Sequence, residues 1–172
     1  MRIISGSNKG KKLIMPNDKT TRPLKDMAKE SVFNILTHAN YINFHLKDSK
    51  VLDLFSGIGS FGLECISRGS KFVFFLENYP PVLKILKNNI SNLKYGDKSE
   101  VVEIDAFKID NNTFKEKQKF QIIFCDPPYK EKNIELLIDN IIEMNILEKN
   151  GIIIIHRKKG DLDIFPRKFK II

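Results

Sequence analysis

From Val51 onward the chain alternates short apolar runs with segments of helical period. The runs lie near 51–55, 71–76, 100–104, 120–125 and 151–156, and the helical segments near 60–68, 80–92 and 131–145. Strands separated by helix-length connections cannot close as tight hairpins; they pair parallel, with the helices covering the sheet. Phe120-Gln-Ile-Ile-Phe-Cys125 is almost continuously apolar, as strands buried on both faces are. The predicted fold is therefore α/β, a mostly parallel twisted sheet with helices on both faces. A further helix is expected from Asp26 to Leu36, where apolar residues recur at i, i+3, i+4. Residues 1–15 read as a small basic β-hairpin turning at Gly6-Ser-Asn-Lys-Gly10, and Pro16 to Pro23 as a linker.

Sheets of this kind bind ligands at the carboxyl ends of their strands, and here those ends carry acids. The first run, Lys50-Val-Leu-Asp53-Leu-Phe, feeds a loop with Gly57, Gly59 and Gly62. That spacing suits a dinucleotide, with pyrophosphate on the helix N-terminus, and it equally suits S-adenosylmethionine, whose sulfonium and ammonium are cationic. Asp53, four positions before Gly57, favours the second reading, because a carboxylate there repels pyrophosphate and attracts an ammonium. Glu77, ending the second run, is placed to accept from ribose hydroxyls in either case. Asp105, before Ala106 at the end of the third run, is either an acceptor for an adenine amino group or a cap for the turn that follows.

The fourth run ends in Asp126-Pro127-Pro128-Tyr129. Two prolines make a stiff strand exit. The tetrapeptide offers a carboxylate, a fixed carbonyl and an aromatic ring to a planar base with an exocyclic amine. Such an amine is conjugated and barely basic. Acceptance of its two N–H bonds by Asp126 and the Pro127 carbonyl would turn its lone pair toward a methyl donor and stabilise developing positive charge. Tyr129 would stack on a base taken out of its helix.

The net charge of +8 sits at the two ends: residues 1–30 carry +5, residues 156–172 carry +4, and 31–155 carry −1. Basic ends around a near-neutral middle imply a polyanion held at the rim of the site, with Arg2, Lys9, Lys11, Lys12 and Arg22 as phosphate contacts. No run approaches the roughly 18 apolar residues of a membrane span, and Met1-Arg-Ile-Ile-Ser carries no apolar signal region, so the expected location is cytoplasmic. Cys65 and Cys125 lie in apolar runs without metal-type spacing and read as buried free thiols; no metal is expected. A covalent cysteine mechanism at Cys125 lacks a histidine base nearby in sequence.

With these segments placed, nearly the whole chain resembles the bacterial 16S ribosomal RNA guanine-N2 methyltransferases of the RsmD type. The resemblance is carried by Met1-Arg-Ile-Ile-Ser-Gly6 with Gly10-Lys-Lys-Leu13, by Thr21-Arg-Pro23 with Lys29-Glu-Ser-Val-Phe-Asn-Ile-Leu36, by Val51 to Gly62, and by Asp126 to Tyr129. It implies a Rossmann-like class I methyltransferase fold over 23–172, with residues 1–22 as a basic hairpin and linker packed on it. It implies S-adenosylmethionine as donor, S-adenosylhomocysteine as product, and one guanine of 16S rRNA in an assembling small subunit as target of a monomeric enzyme. Donor contacts are implied at Asp53, Phe55, Gly57, Gly59, Glu77, Asp105 and Asp126, with Asn78 and Ala106 beside them, and base contacts at Asp126 to Tyr129. The chain departs from the family at Ile155, where an acid is usual. It also ends at Phe169-Lys-Ile-Ile172, before the family's closing antiparallel strand, so a truncated C-terminal edge is expected. Rival readings are a DNA adenine-N6 or cytosine-N4 methyltransferase, an NAD-binding oxidoreductase, and a non-catalytic RNA-binding module.

Overall fold

The computed structural model describes residues 1–17, 24, 26–38, 45–114, 118–128, 130–157, 160 and 165. Within them the chain runs α1 (Asp26–His38), β1 (Lys50–Leu54), α2 (Ser60–Ser67), β2 (Phe72–Leu76), α3 (Pro80–Asn92), β3 (Ser99–Val102), β4 (Phe120–Cys125), α4 (Ile134–Glu143) and β5 (Leu147–Ile155). The five strands form one sheet in the order β3-β2-β1-β4-β5, and every pairing is parallel. The chain lays β2 and β3 on one side of β1, then crosses to β4 and β5 on the other. The order therefore reverses between β1 and β4, the place where open α/β sheets form a ligand crevice.

Alternate side chains of each strand enter opposite cores, as the two-residue period requires. Val51, Val73, Phe75, Ile122 and Phe124 pack against α1, α2 and α3. Leu52, Leu54, Phe74, Leu76, Ile123 and Cys125 pack against α4 and the segment 106–114. The aromatic rings are core: Phe61 stacks between Phe33 and Phe124 at 5.2 and 3.9 Å, and Phe74 meets Phe114 and Phe120 edge-on. α3 opens on Pro80-Pro81, where the missing N–H bonds cost nothing. α4 buries Ile134, Leu137, Ile138 and Ile141, a stripe at i, i+3, i+4, i+7.

Of the boundaries that differ from the sequence expectation, three have a visible local cause. α4 begins at Ile134 rather than 131, because Glu131 Oε1 accepts the N–H groups of Lys132 and Asn133 and holds them in a turn. β3 stops at Val102, whose carbonyl takes the Ile104 N–H at 3.0 Å. β5 begins at Leu147 rather than 151: Leu147 pairs with Phe120, and the register then jumps to Ile122↔Ile152, leaving an irregularity across 148–151.

The N-terminal hairpin is short: one antiparallel bridge, Arg2↔Lys12, flanked by bonds from the Ile3 N–H to the Lys11 carbonyl, the Gly10 N–H to the Ile3 carbonyl and the Leu13 N–H to the Met1 carbonyl. Three helices hold it down. From α2, Glu64 accepts the Ile4 N–H (2.7 Å) and the Ser5 N–H (2.9 Å). From α1, Lys29 donates to the Arg2 carbonyl at 2.8 Å. From α3, Asn89 accepts from the Ile14 N–H at 2.7 Å and donates to the Ile14 and Ile58 carbonyls. Gly6, at φ +83, lies so close to α2 that a Cβ would stand 1.8 Å from the Ser67 carbonyl oxygen, so only glycine fits there.

Candidate active site

Asp53, the penultimate residue of β1, is 1% exposed. Its Oδ2 accepts the Gly62 N–H at 2.9 Å. Gly62 itself sits against β2, where a Cβ would stand 2.3 Å from the Phe75 ring. Burial pushes the Asp53 carboxyl well above the ordinary range; the Gly62 N–H opposes that, and the charges of Asp126 and Glu77 add to it. Asp53 thus supports the loop from beneath through its bond to Gly62, a structural duty the sequence reading did not assign. The same bond bears on the dinucleotide reading, because a carboxylate already lies on an amide of the helix terminus that pyrophosphate would need.

Glu77, just past β2, is tied to the same loop. Its Oε2 accepts the Gly57 N–H at 2.8 Å, and its Oε1 accepts the Asn78 and Tyr79 N–H groups at 2.9 Å. The Ser56 N–H reaches the Leu76 carbonyl at 3.0 Å, so the β1 loop is tied to the β2 end at a second point. Phe55 adopts φ 56 and meets the Phe107 ring at 5.5 Å. Beside Gly57 the space is open, with nothing within 4 Å of where a Cβ would stand. Asp105 accepts the Phe107 N–H at 3.0 Å and opens a 3₁₀ turn over Ala106–Lys108; this is the capping role, and it leaves further acceptor capacity on the carboxylate. Ala106 is buried.

Asp126 leaves β4 two register positions beyond Asp53, which pairs with Phe124, and its charge acts on the Asp53 carboxyl. Burial raises the Asp126 carboxyl above the ordinary range, and the hydrogen bond and charge of His156 draw it back down. His156 Nδ1 stands 2.8 Å from Asp126 Oδ1. The Pro128 carbonyl accepts the Glu131 N–H at 2.9 Å, whereas the Pro127 carbonyl accepts no bond among the described residues. Pro127 is buried and Pro128 exposed. Tyr129 and Arg22 lie outside the described residues. Arg2, Lys9, Lys11 and Lys12 are exposed, and the bridge stands Arg2 opposite Lys12.

Contrary to the sequence expectation, a histidine does lie near Cys125, because His156 follows the adjacent strand and its N–H donates to the Cys125 carbonyl. The histidine ring is turned to Asp126, however, and Cys125 is fully buried, so the residue has no access to a substrate carbon. Sequence reasoning missed His156 because its bond to Asp126 joins positions 30 apart and depends on the β4–β5 register. Among the described residues no group of three or more His, Cys, Asp or Glu side chains is arranged to hold a metal ion, and no helix is long and apolar enough to cross a membrane.

Replacing Asp53 by Asn separates its two roles. The amide oxygen can still accept from Gly62, but the charge is gone. The raised carboxyl means that the Asp53 contribution to stability is full below the ordinary carboxylate range and lost as pH rises through the folded value. Asp53→Asn is therefore expected to leave Tm unchanged or higher at pH 7–8. Affinity for a cationic ligand in the crevice should fall on the order of tenfold, the effect of about one pK unit of lost interaction. Calorimetric titration beside a thermal melt checks both; a variant that loses Tm and keeps affinity would refute the assignment.

Comparison with known proteins agrees with this geometry. The family described as "Conserved hypothetical protein 95" matches residues 1–172. Ribosomal RNA small subunit methyltransferase D of Haemophilus influenzae is 33% identical, over all of this chain and 86% of its own length. The protein of the same name from Escherichia coli K12 is 33% identical over 88% of this chain and 68% of its length. A solved structure of a proposed methyltransferase from Escherichia coli superposes with a TM-score of 0.81 at 28% identity, covering 99% of this chain and 88% of that one. A proposed methylase from Haemophilus influenzae gives 0.72 at 34%, covering 96% and 85%. An all-parallel sheet reversing at β1 and β4, acids at the ends of those strands, and a match from the first residue to the last together show that the chain belongs to the conserved hypothetical protein 95 family, the RsmD-type methyltransferases that its sequence resembles.

Proposed function

We propose that this protein transfers a methyl group from S-adenosylmethionine to the exocyclic N2 amine of one guanine in 16S ribosomal RNA, releasing S-adenosylhomocysteine. The observation that carries the reading is that the adjacent strands β1 and β4 bring the acids Asp53 and Asp126 to the sheet's switch point, near enough for the Asp126 charge to act on the Asp53 carboxyl, in a chain related over its full length to a small subunit rRNA methyltransferase.

The residues fit the donor. A buried acid beneath the glycine loop, a second acid bonded to that loop and open space beside Gly57 suit a cationic, ribose-bearing ligand better than a diphosphate. Asp53, Phe55, Gly57, Gly59, Glu77, Asn78, Asp105 and Ala106 would hold it, and when bound it supplies an electrophilic methyl on sulfur. Asp126 and the Pro127 carbonyl accept the N–H bonds of the amine. Pro128 keeps the strand exit stiff, and Tyr129 stacks on the base. In this reading residues 1–22 are an RNA-holding attachment to a methyltransferase domain at 23–172, and the enzyme acts as a cytoplasmic monomer on an assembling small subunit. The bonds from Lys29, Glu64 and Asn89 to the segment 2–14 support the attachment.

The test is transfer from labelled donor to small subunits lacking the modification, with naked rRNA and DNA alongside and nucleosides identified by mass spectrometry. N2-methylguanosine in RNA is the expected product; methyladenine or methylcytosine in DNA would overturn the substrate. Removing the Lys11 and Lys12 charges together should weaken RNA binding across sequences. It should also flatten the plot of log affinity against log salt by about one unit for each phosphate no longer neutralised. An unchanged slope would remove this segment from the interface.

A further inference from the structure

The candidate catalytic acid has a partner that the strand register puts in place. β4 and β5 pair up to Cys125↔Ile155, and the ladder continues one step further as the His156 N–H donates to the Cys125 carbonyl at 2.9 Å. This bond fixes the His156 backbone beside the residue preceding Asp126. The ring then brings Nδ1 to 2.8 Å from Asp126 Oδ1. Both ends of the contact are constrained, Asp126 by the prolines that follow it and His156 by the ladder. Their side chains are 21% and 32% exposed, so the pair sits at the mouth of the crevice and not in the core.

We propose that His156 is a positioning residue for methyl transfer: it donates to one oxygen of Asp126 and so holds the other toward the substrate amine, ready to take the proton that the amine must lose. The proposal rests on the reading of Asp126 as acceptor for that amine. In the transfer the nitrogen lone pair forms the new N–C bond and the C–S pair stays on sulfur. The nitrogen becomes cationic and sheds one proton. Asp126 is the nearest acceptor. At 2.8 Å the imidazole Nδ1–H donates to Oδ1. The proton from the amine goes to the other Asp126 oxygen and from there to solvent, while the clamp stays in place.

Asp126 is faced by His156 from β5 and by the Asp53 carboxylate from β1, with Glu77 acting on Asp53 from β2. Beyond them, the Arg157 guanidinium donates to the Glu131 carbonyl at 3.1 Å in the loop that follows Asp126. Burial disfavours ionisation of Asp126, and the hydrogen bond and charge of His156 favour it. Loss of the histidine should therefore move the loss of activity on acidification to higher pH.

The experiment compares wild type, His156→Ala and His156→Asn, the last able to donate an amide N–H from near the Nδ1 position. The pH profile of kcat/KM is measured for each, together with the ¹³C carboxyl titration of Asp126 in the protein alone. His156→Ala is expected to lower kcat on the order of tenfold with little change in donor KM, and to shift the acid limb upward by about one pH unit. His156→Asn should recover rate above that limb and return the limb part of the way, since it restores the hydrogen bond to Asp126 but not the charge. On an Asp126→Asn background, His156→Ala should cost nothing more. An unmoved acid limb, or an undiminished loss on that background, would overturn the proposal. If wild type methylates no guanine, the functional reading fails by itself; the carboxyl titration then decides the clamp, which stands if the Asp126 midpoint rises in His156→Ala and falls if it does not.

Discussion

Asp126→Asn is expected to lower turnover by about 10²–10³-fold, the usual cost of removing one preorganised group that stabilises transition-state charge, while donor binding largely survives. The amine of guanine acquires its positive charge only as the methyl arrives, so a carboxylate aimed at it acts on kcat rather than on ground-state affinity. Burial raises the Asp126 carboxyl. Wild-type activity should therefore fall as pH drops through a value above the ordinary carboxylate range, and the residual activity of the variant should lack that limb. The sign for stability is opposite. A carboxyl raised on folding contributes fully below the ordinary range and is lost as pH rises through its folded value, so Asp126→Asn should melt at or above the wild-type temperature at pH 8. Single-turnover transfer, donor titration and a thermal melt on one preparation test all three points. Equal loss of donor affinity and turnover would show that Asp126 serves the donor and not the amine.

That a functional acid costs the fold stability also explains why the site was legible in sequence. Asp53, Glu77, Asp105 and Asp126 each interrupt an apolar run at the point where a parallel strand leaves the core. A charged residue there conflicts with local burial, and such conflicts mark functional positions. The fold was legible for a related reason, since the alternation of strands with helix-length connections leaves few topologies. Long-range partnerships were not. The Asp126–His156 pair, the irregular start of β5 and the hold of Glu64 and Asn89 on residues 4–14 join positions 27 to 75 apart, and no local period encodes them. One signal was available: Leu63-Glu-Cys-Ile66 puts an acid inside a helix that is otherwise apolar or small in character, and a buried carboxylate must have partners.

Those partners make Glu64→Ala the second large effect, a loss of about 3–5 kcal/mol. Glu64 is fully buried. It accepts from the Ile4 and Ser5 N–H groups, from Arg68 Nε at 2.7 Å, and forms a 3.7 Å ion pair with the buried Lys29. Truncation removes all of these acceptors at once and leaves an ammonium and two amides buried without them, which is costlier than never having built the pair. Burial already lowers the Lys29 ammonium below its ordinary value, with Glu64 the main opposing influence. In the variant the unfolded chain binds this proton more tightly by a wider margin, so stability should recover as pH rises. The damage should also reach function. The segment that Glu64 ties to α2 carries Arg2, Lys9, Lys11 and Lys12, and its release removes their fixed placement before it disturbs the crevice beneath Asp53. Denaturant melts at pH 7 and 9, beside RNA and donor titrations below the melting temperature, test this chain of effects. The expected result is a large loss of stability, partly regained at pH 9, with RNA affinity reduced more than donor affinity. Full RNA affinity in a folded Glu64→Ala protein would show that the basic segment does not depend on this anchor.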